Sequence, residues 1–447
     1  MGLAAGSMTG TTRRRNHTFW DGDMSGSSTR DRDLRERARE VIPGGMYGHM
    51  STALLPPEYP QFFSRAAGAR IWDADGNPYI DYMCAFGPCL FGYGHAPVEE
   101  AVRGQLALGD IMTGPSEIMV DLAEAFVGMI SHAQWAMFCK NGTDATTMAL
   151  VVARAATGRS VILCARGSYH GSAPWCTPRP AGVLPSDRAG VTYFEYGDAE
   201  SLEAAFRAHA GDVAGVFATP FRHETFADQS LPSREYALAA RRLCDEYGAL
   251  LIVDDVRAGF RLARDCSWSA LGVEPDLSAW GKCIANGHPI SALLGSNSAR
   301  AGAERVFVTG SFWFSAAPMA AALAALREIR ESSYLEDLIE AGEGLRKGLG
   351  ALCAAHDFGV RQTGPAQMPQ VIFEDDPDFR LGYAFAAECV KRGVYVHPYH
   401  NMFLSSAHKA GDVALTLEAM DWALSAVRAR RSDLQPHPGV AARLGLR

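Results

Sequence analysis

The 447-residue chain predicts an α/β fold: a large unit with a mostly parallel sheet covered by helices, then a smaller α+β unit towards the C-terminus. Three observations carry this expectation. The middle of the chain alternates short apolar runs with helical segments, the rhythm of strand–helix–strand crossovers. The runs Trp135 to Cys139, Val161 to Ala165, Val213 to Ala218 and Leu251 to Val253 lack polar alternation, as strands buried on both faces do. Finally, the chain exceeds one ordinary core, and after Pro318 its pattern changes to long helices with two short strands.

Taken in order, residues 1–30 are rich in Gly, Ser, Thr and Arg, include Arg13-Arg14-Arg15, and lack the apolar stretch of a signal peptide. They predict a disordered leader. Residues 31–70 form an N-terminal arm, with a helix from Asp31 to Val41 stopped by Pro43-Gly44-Gly45. Residues 71–320 make the large unit and 321–447 the small one. Ala69 to Asp73 and Asp75 to Tyr82 read as a hairpin around a Gly-containing turn. The glycine-rich stretch from Phe86 to His95 contains no GxGxxG, which argues against a dinucleotide site. Helical segments follow near 97–106 and 116–130.

After the strand ending at Cys139 comes Lys140-Asn141-Gly142-Thr143-Asp144, and then a helix with Ala145, Met148, Ala149, Val152 and Ala156 on its apolar stripe and Gly158 as C-cap. A strand, a small-residue turn and a helix start can hold an anion, because free N–H groups and the positive helix end meet it. The same residues suit a plain helix cap. Val161 to Ala165 runs into Gly167-Ser168-Tyr169-His170-Gly171, where the glycines let the aromatic approach a flat ligand. A helix from Pro232-Ser233 to Tyr247 leads into the strand Leu251 to Val253, and Ile290 to Gly295 is a further strand. The small unit has helices near 336–354, 380–392 and 411–429, with short strands at Gln370 to Phe373 and Val394 to Val396.

The totals exclude several classes. With 48% hydrophobic and 21% charged residues the chain is of ordinary globular composition. A net charge of −8 argues against nucleic acid or an anionic membrane as partner, and no apolar run is long enough to span a bilayer. The ten cysteines form no CxxC pair and no metal-finger spacing, and most sit in apolar runs. They predict reduced thiols in a cytoplasmic protein without a metal site.

The chemistry concentrates at Asp254 and Lys282. Asp254 puts a charge where the buried strand ends, the place where open α/β sheets bind ligands. Lys282 follows the apolar stretch Leu277 to Gly281, a setting that lowers an amine's pKa. A strand-end acid with a lysine in apolar surroundings is what pyridoxal phosphate requires: a carboxylate for its ring nitrogen and an amine for its aldehyde. Each residue alone also has a bland reading, as a cap or salt-bridge partner for the acid and as a snorkelling chain for the lysine.

Several motifs occur together: Trp72-Asp73 with Asp75-Gly76 and Ile80-Asp81-Tyr82; Asn141 to Ala145; Tyr169-His170-Gly171; Leu251 to Val256 with Gly259-Phe260-Arg261; Pro275-Asp276-Leu277 with Gly281-Lys282; and Ala407-His408. From about residue 34 to 430 the chain resembles the class III pyridoxal-phosphate aminotransferases of fold type I, in the branch around glutamate-1-semialdehyde aminomutase. The resemblance implies that Lys282 carries the cofactor, Asp254 binds its ring nitrogen, Tyr169 stacks on its ring, and Gly142 and Thr143 hold its phosphate. It also implies a homodimer in which Ser311, with Thr309 as the alternative, reaches the neighbouring subunit's phosphate.

Four departures bear on substrate. Thr219-Pro220 stands where the family has Glu-Pro, which puts the family's Glu–Arg switch between two substrates in doubt. Arg257 stands where Gln or Met is common; it can contact the cofactor's phenolic oxygen, a substrate carboxylate or a surface partner. The segment from Ser172 to Val191 is shorter than the aminomutase lid, which favours transamination over isomerisation. Phe86 replaces an aminomutase-like Trp, and the usual C-terminal Glu is missing around Tyr399-His400-Asn401. Tyr47, His49, Phe86, Arg222, Arg257 and His400 are the substrate-pocket candidates. The expected activity is ping-pong transfer of an amino group between a small amine or amino acid and a keto or aldehyde acceptor. An intramolecular aminomutase and a cofactor-binding protein without turnover are the alternatives.

Overall fold

The computed structural model describes residues 29–445. The expected leader at 1–30 lies outside these, except for Thr29 and Arg30, which open the helix Thr29–Val41.

A seven-stranded sheet forms the centre. In spatial order its strands are Trp135–Cys139, Ser291–Gly295, Leu277–Trp280, Leu250–Asp254, Val213–Ala218, Val161–Ala165 and Val191–Phe194. Ser291–Gly295 runs antiparallel to both of its neighbours, and the remaining pairings are parallel. Every residue of Val161–Ala165, Val213–Ala218 and Leu250–Asp254 is buried. The pleat sends alternate side chains to opposite layers. Leu250 and Ile252 pack with Met148, Ala149 and Val152 of the helix Gly142–Thr157. Leu251 and Val253 join the other core, with Tyr236, Ala240 and Leu243 of Arg234–Tyr247. This double covering explains why these strands carry no polar alternation.

The hairpin expected at 69–82 is present as Arg70–Asp73 and Pro78–Asp81, but within a larger sheet. Phe63–Ala67 pairs antiparallel on one side, and Val394–Tyr395 pairs parallel with Pro78–Asp81 on the other. The N-terminal strands thus share a sheet with a strand from near the C-terminus. Helices Tyr334–Ala355, Arg380–Lys391 and Ala410–Ala429 pack around it, beside a hairpin of Val360–Thr363 and Gln370–Phe373. Among the described residues no helix is long and apolar enough to cross a membrane.

Close packing in the central sheet is tightest at Gly295. A Cβ there would lie 2.1 Å from Trp135 Cζ2 on the paired strand. The indole cannot swing aside without breaking its Nε1–H bond to the Ser296 carbonyl, at 2.7 Å. Gly295→Ala is expected to lower stability by about 1–3 kcal/mol. The change should register as a lower urea midpoint at unchanged slope; an unchanged midpoint would mean the indole repacks freely.

Candidate active site

Five loops leave the carboxyl ends of the parallel strands and enclose one cavity of about 340 Å³. After Cys139, the chain turns at Asn141 into the helix Gly142–Thr157, with Asp144 Oδ2 accepting the Asn141 N–H at 2.8 Å. A side chain at Gly142 would put its Cβ 2.5 Å from Val256 Cγ1, so only glycine lets this helix start lie against the loop after Asp254. Gly171 has φ +121°, and a Cβ there would meet Thr143 Oγ1 at 2.5 Å. The Thr143 hydroxyl oxygen accepts the Ser172 N–H at 3.1 Å. The result is a helix N-terminus and a hydroxyl facing the cavity with no side chain in front of them, a setting for an anion.

Asp254 is 8% exposed. Its Oδ2 lies 2.6 Å from His170 Nδ1, and Oδ1 accepts the Val256 N–H at 3.2 Å. An ionised carboxylate only accepts, so Nδ1 carries the proton. The imidazole is wedged near Trp175 and Phe217, with ring centroids 6.4 and 5.0 Å away. The His170 carbonyl takes the Thr146 hydroxyl at 2.7 Å. His170 was legible only as part of a motif; the sequence reading assigned it no contact with Asp254.

Lys282 has left-handed backbone (φ +47°), and its Nζ donates to the Phe86 carbonyl at 2.8 Å. That carbonyl ends three successive left-handed residues, Cys84, Ala85 and Phe86, with φ of 45°, 55° and 64°. Such conformations cost on the order of 1 kcal/mol each for non-glycine residues. Asp81 offsets the strain by accepting the Met83 and Cys84 N–H groups at 2.8 and 3.0 Å and the Tyr93 hydroxyl at 2.6 Å. Buried Arg261 holds the next carbonyl, Gly87 O, at 2.8 Å. Burial, together with the charge of Arg257, lowers the Lys282 amine to about 8.

A second polar group borders the same space. Arg257 donates to Asn401 Oδ1 at 2.6 Å, approaches His400 Nε2 at 3.5 Å, and lies 5.6 Å from the Phe403 ring centroid. Burial pulls it down to about 10. His49 meets Phe86 edge-on at 4.7 Å, and Phe86 meets His400 at 5.6 Å. Burial and the neighbouring cations lower the pKa of His49, and push His223 and His400 well below the ordinary value.

Gly142, Thr143, Tyr169, Asp254, Lys282, His49 and Arg257 therefore line one cavity. Phe86 contributes its carbonyl, and His400 stands behind Arg257. Tyr47 is 74% exposed, away from the lining. Arg222 also lies off it, 3.3 Å from Glu224. Thr309 and Ser311 are on an exposed segment beside Phe307 and Phe312, outside the cavity. His223, which sequence reasoning passed over, lines the cavity; an isolated histidine in a loop carried no signal.

These groups fit pyridoxal phosphate. The cavity holds an amine of lowered pKa, a carboxylate fixed by an imidazole, an aromatic ring in Tyr169, and a helix N-terminus kept open by Gly142. A neutral amine is the form that attacks an aldehyde. Reconstitution of the apoprotein with pyridoxal phosphate should therefore accelerate about tenfold per pH unit from pH 6 and level off near 8. A stopped-flow absorbance profile still climbing towards the ordinary lysine value of 10.5 would contradict the lowered amine.

Comparison with known proteins agrees. The family model for class III aminotransferases matches residues 55–409. The chain is 68% identical over 412 residues to an aminopentol aminotransferase of Sphingopyxis macrogoltabida, covering 92% of this chain and 98% of that one. It is 33% identical over 431 residues to a glutamate-1-semialdehyde 2,1-aminomutase of Polaromonas naphthalenivorans, covering 88% and 96%. Among solved structures, the FumI protein of a Sphingopyxis species, in its pyridoxal-phosphate internal aldimine form, superposes with a TM-score of 0.92 at 67% identity. That match covers 92% of this chain and 100% of the other. The chain belongs to the class III aminotransferases, pyridoxal-phosphate enzymes of fold type I that transfer amino groups.

Proposed function

We propose that this enzyme takes the amino group of a hydroxylated alkylamine and delivers it to a 2-oxo acid, with Lys282 and Asp254 as its catalytic pair. The observation that carries the reading is the convergence of Lys282 and a His170-fixed Asp254 on one cavity. The 68% identity to an aminopentol aminotransferase, against 33% to an aminomutase, supports intermolecular transfer and a hydroxylated donor.

When bound, the cofactor supplies a reactive aldehyde and an electron-withdrawing ring. Gly142 and Thr143 hold its phosphate, Tyr169 covers its ring, and Asp254 keeps the ring nitrogen protonated. Asp254 can do so because His170 presents one carboxylate oxygen's charge in a fixed direction. Lys282 Nζ takes the proton from the donor's amine-bearing carbon and later returns one. Its lowered pKa leaves a useful neutral fraction near neutral pH. The Phe86 carbonyl is the resting acceptor for that nitrogen whenever it is free.

Arg257 is the acceptor side of the proposal. No Asp or Glu among the described residues pairs with it; its nearest partners are Asn401 and His400. A buried guanidinium without a carboxylate is costly, and a substrate carboxylate relieves that cost with charge-assisted bonds. We place the protein in the cytoplasm, on the strength of free thiols at all ten cysteines. We also propose a homodimer. Supporting it, Phe307 and Phe312 are 92% and 61% exposed in the segment that carries Thr309 and Ser311, the residues assigned to a neighbour's phosphate. Sedimentation should give twice the chain mass; a stable monomer with full activity would remove the shared-site reading.

Lys282→Ala is expected to retain its melting profile and lose at least about 10³-fold in turnover. Arg257→Met should lower the efficiency of pyruvate relative to that of propanal by about 10²-fold, since only pyruvate carries the carboxylate. Normal turnover by the lysine variant would end the catalytic assignment. An unchanged pyruvate-to-propanal ratio would end the acceptor assignment alone.

A further inference from the structure

Among the described residues Arg261 is the only fully buried arginine, at 0% exposure. It leaves the loop after Asp254 just behind Phe260, whose backbone is left-handed (φ +59°) and whose carbonyl accepts the Tyr334 hydroxyl at 2.8 Å. Nη2 of Arg261 donates to the Gly87 carbonyl at 2.8 Å, and Nη1 donates to the Leu404 carbonyl. Its guanidinium lies 5.2 Å from the Phe403 ring centroid. Its Nε–H has no hydrogen-bond partner among the described residues, and no Asp or Glu among them forms an ion pair with it. One side chain from the Asp254 loop thus joins two turns that are far apart in sequence.

The Gly87 end of this bridge bears on Lys282. Gly87 has φ +106°, and a Cβ there would lie 2.9 Å from Phe403 Cε1 and 3.4 Å from Lys282 Cδ. The lysine chain therefore runs along the Gly87 backbone, and its Nζ meets the carbonyl just before it, at Phe86. Arg261 holds one end of this short stretch while the other end receives the amine. Capping two carbonyls needs only neutral N–H groups, whereas a cation at this depth is costly without a carboxylate. Burial keeps Cys84, Cys89 and Tyr334 protonated around the guanidinium and His408 neutral. Asp81 directs its carboxylate at the Met83 and Cys84 N–H groups and the Tyr93 hydroxyl. At Lys282, Arg261 adds to the stronger repulsion from Arg257, while Cys283 and Asp254 act in the opposite sense.

We propose that Arg261 is a positioning residue for the reaction: it holds the Phe86–Gly87 stretch against the Lys282 chain and sets a positive charge facing the amine. It touches no substrate and lies off the cavity lining. This rests on the assignment of Lys282 above and extends it to a residue outside the cavity.

The test strips the cofactor from the holoenzyme, returns pyridoxal phosphate, and follows its capture by absorbance across the pH range. Arg261→Lys and Arg261→Gln each offer one nitrogen in place of the arginine fork, and they differ in charge. The two carbonyls and the Phe403 ring keep an ammonium at position 261 charged. Both variants are expected to lower the plateau rate by about fivefold or more, because the amine is no longer held in place. The pH midpoint of Arg261→Gln should stand about half a unit or more above that of Arg261→Lys, since without the positive neighbour Lys282 keeps its proton to higher pH. Gly87→Ala leaves Arg261 in place and pushes on Lys282 Cδ, so it should lower the plateau at the native midpoint. Thermal melts report folding, and Gly87→Ala decides alone if an Arg261 variant does not fold. A native plateau in any of the three folded variants overturns the proposal, as do equal midpoints in Arg261→Gln and Arg261→Lys. A lowered melting temperature with plateau and midpoint unmoved would make Arg261 purely structural. Capture at the native rate by Lys282→Ala would end the lysine assignment first, and this proposal with it.

Discussion

A carboxylate 2.6 Å from a buried imidazole is the contact on which the rest of this molecule depends. Asp254 ends a strand whose five residues are all buried, so its charge has almost no water to rely on. His170 supplies the missing stabilisation from the neighbouring loop. Each partner is costly alone: a carboxylate at this depth would lack that donor, and an imidazole would leave its N–H unmet. Their meeting requires two parallel strands with the one between them, Val213–Ala218, in register, and it is the doubly covered sheet that keeps that register.

The parts of this arrangement that could be read from sequence share one physical property: they are runs whose every side chain obeys the same constraint. Val161–Ala165 and Val213–Ala218 have the bounds their apolar letters indicate, because burial on both faces tolerates nothing else; Trp135–Cys139 also keeps its bounds, although Ala136 and Met137 are partly exposed at the sheet edge. Leu277–Trp280 was passed over as a strand because Ser278 interrupts it; that serine is buried, beside His132 at 2.9 Å and accepting the Trp280 indole N–H at 2.7 Å. The edge strand Val191–Phe194 is partly exposed and too short to announce itself. Within the site, Lys282 and Asp254 were legible by chemistry. The Phe86 carbonyl was not, since every residue has one and only the left-handed turn aims it. Nor was the His170 contact, which joins positions 84 residues apart.

The cavity is electrically unusual in a way that individual residues do not convey. His49, His223 and His400 are all held uncharged, and the causes are burial and the neighbouring cations. Arg257 keeps its charge by virtue of its high intrinsic pKa even after burial lowers it to about 10. Arg257, standing beside neutral imidazoles, gives its side of the pocket an anion-favouring place distinct from those uncharged neighbours. A carboxylate-rich lining would have raised the histidine pKa values and erased that distinction.

The groups that surround Arg257 come from a different part of the chain than the groups that surround Lys282. Asn401, His400 and Phe403 belong to one turn just beyond Val394–Tyr395, whereas Asp254, His170 and Thr143 hang from the central sheet. The two sets still touch: His400 packs against Phe86, whose carbonyl holds Lys282, and the Phe403 N–H bonds the Tyr82 carbonyl at 2.7 Å. In a lineage, an enzyme can therefore drift to a new co-reactant through the side chain at position 401, which meets Arg257, while His400 and Phe403 are held by their second duty towards Phe86 and its neighbours.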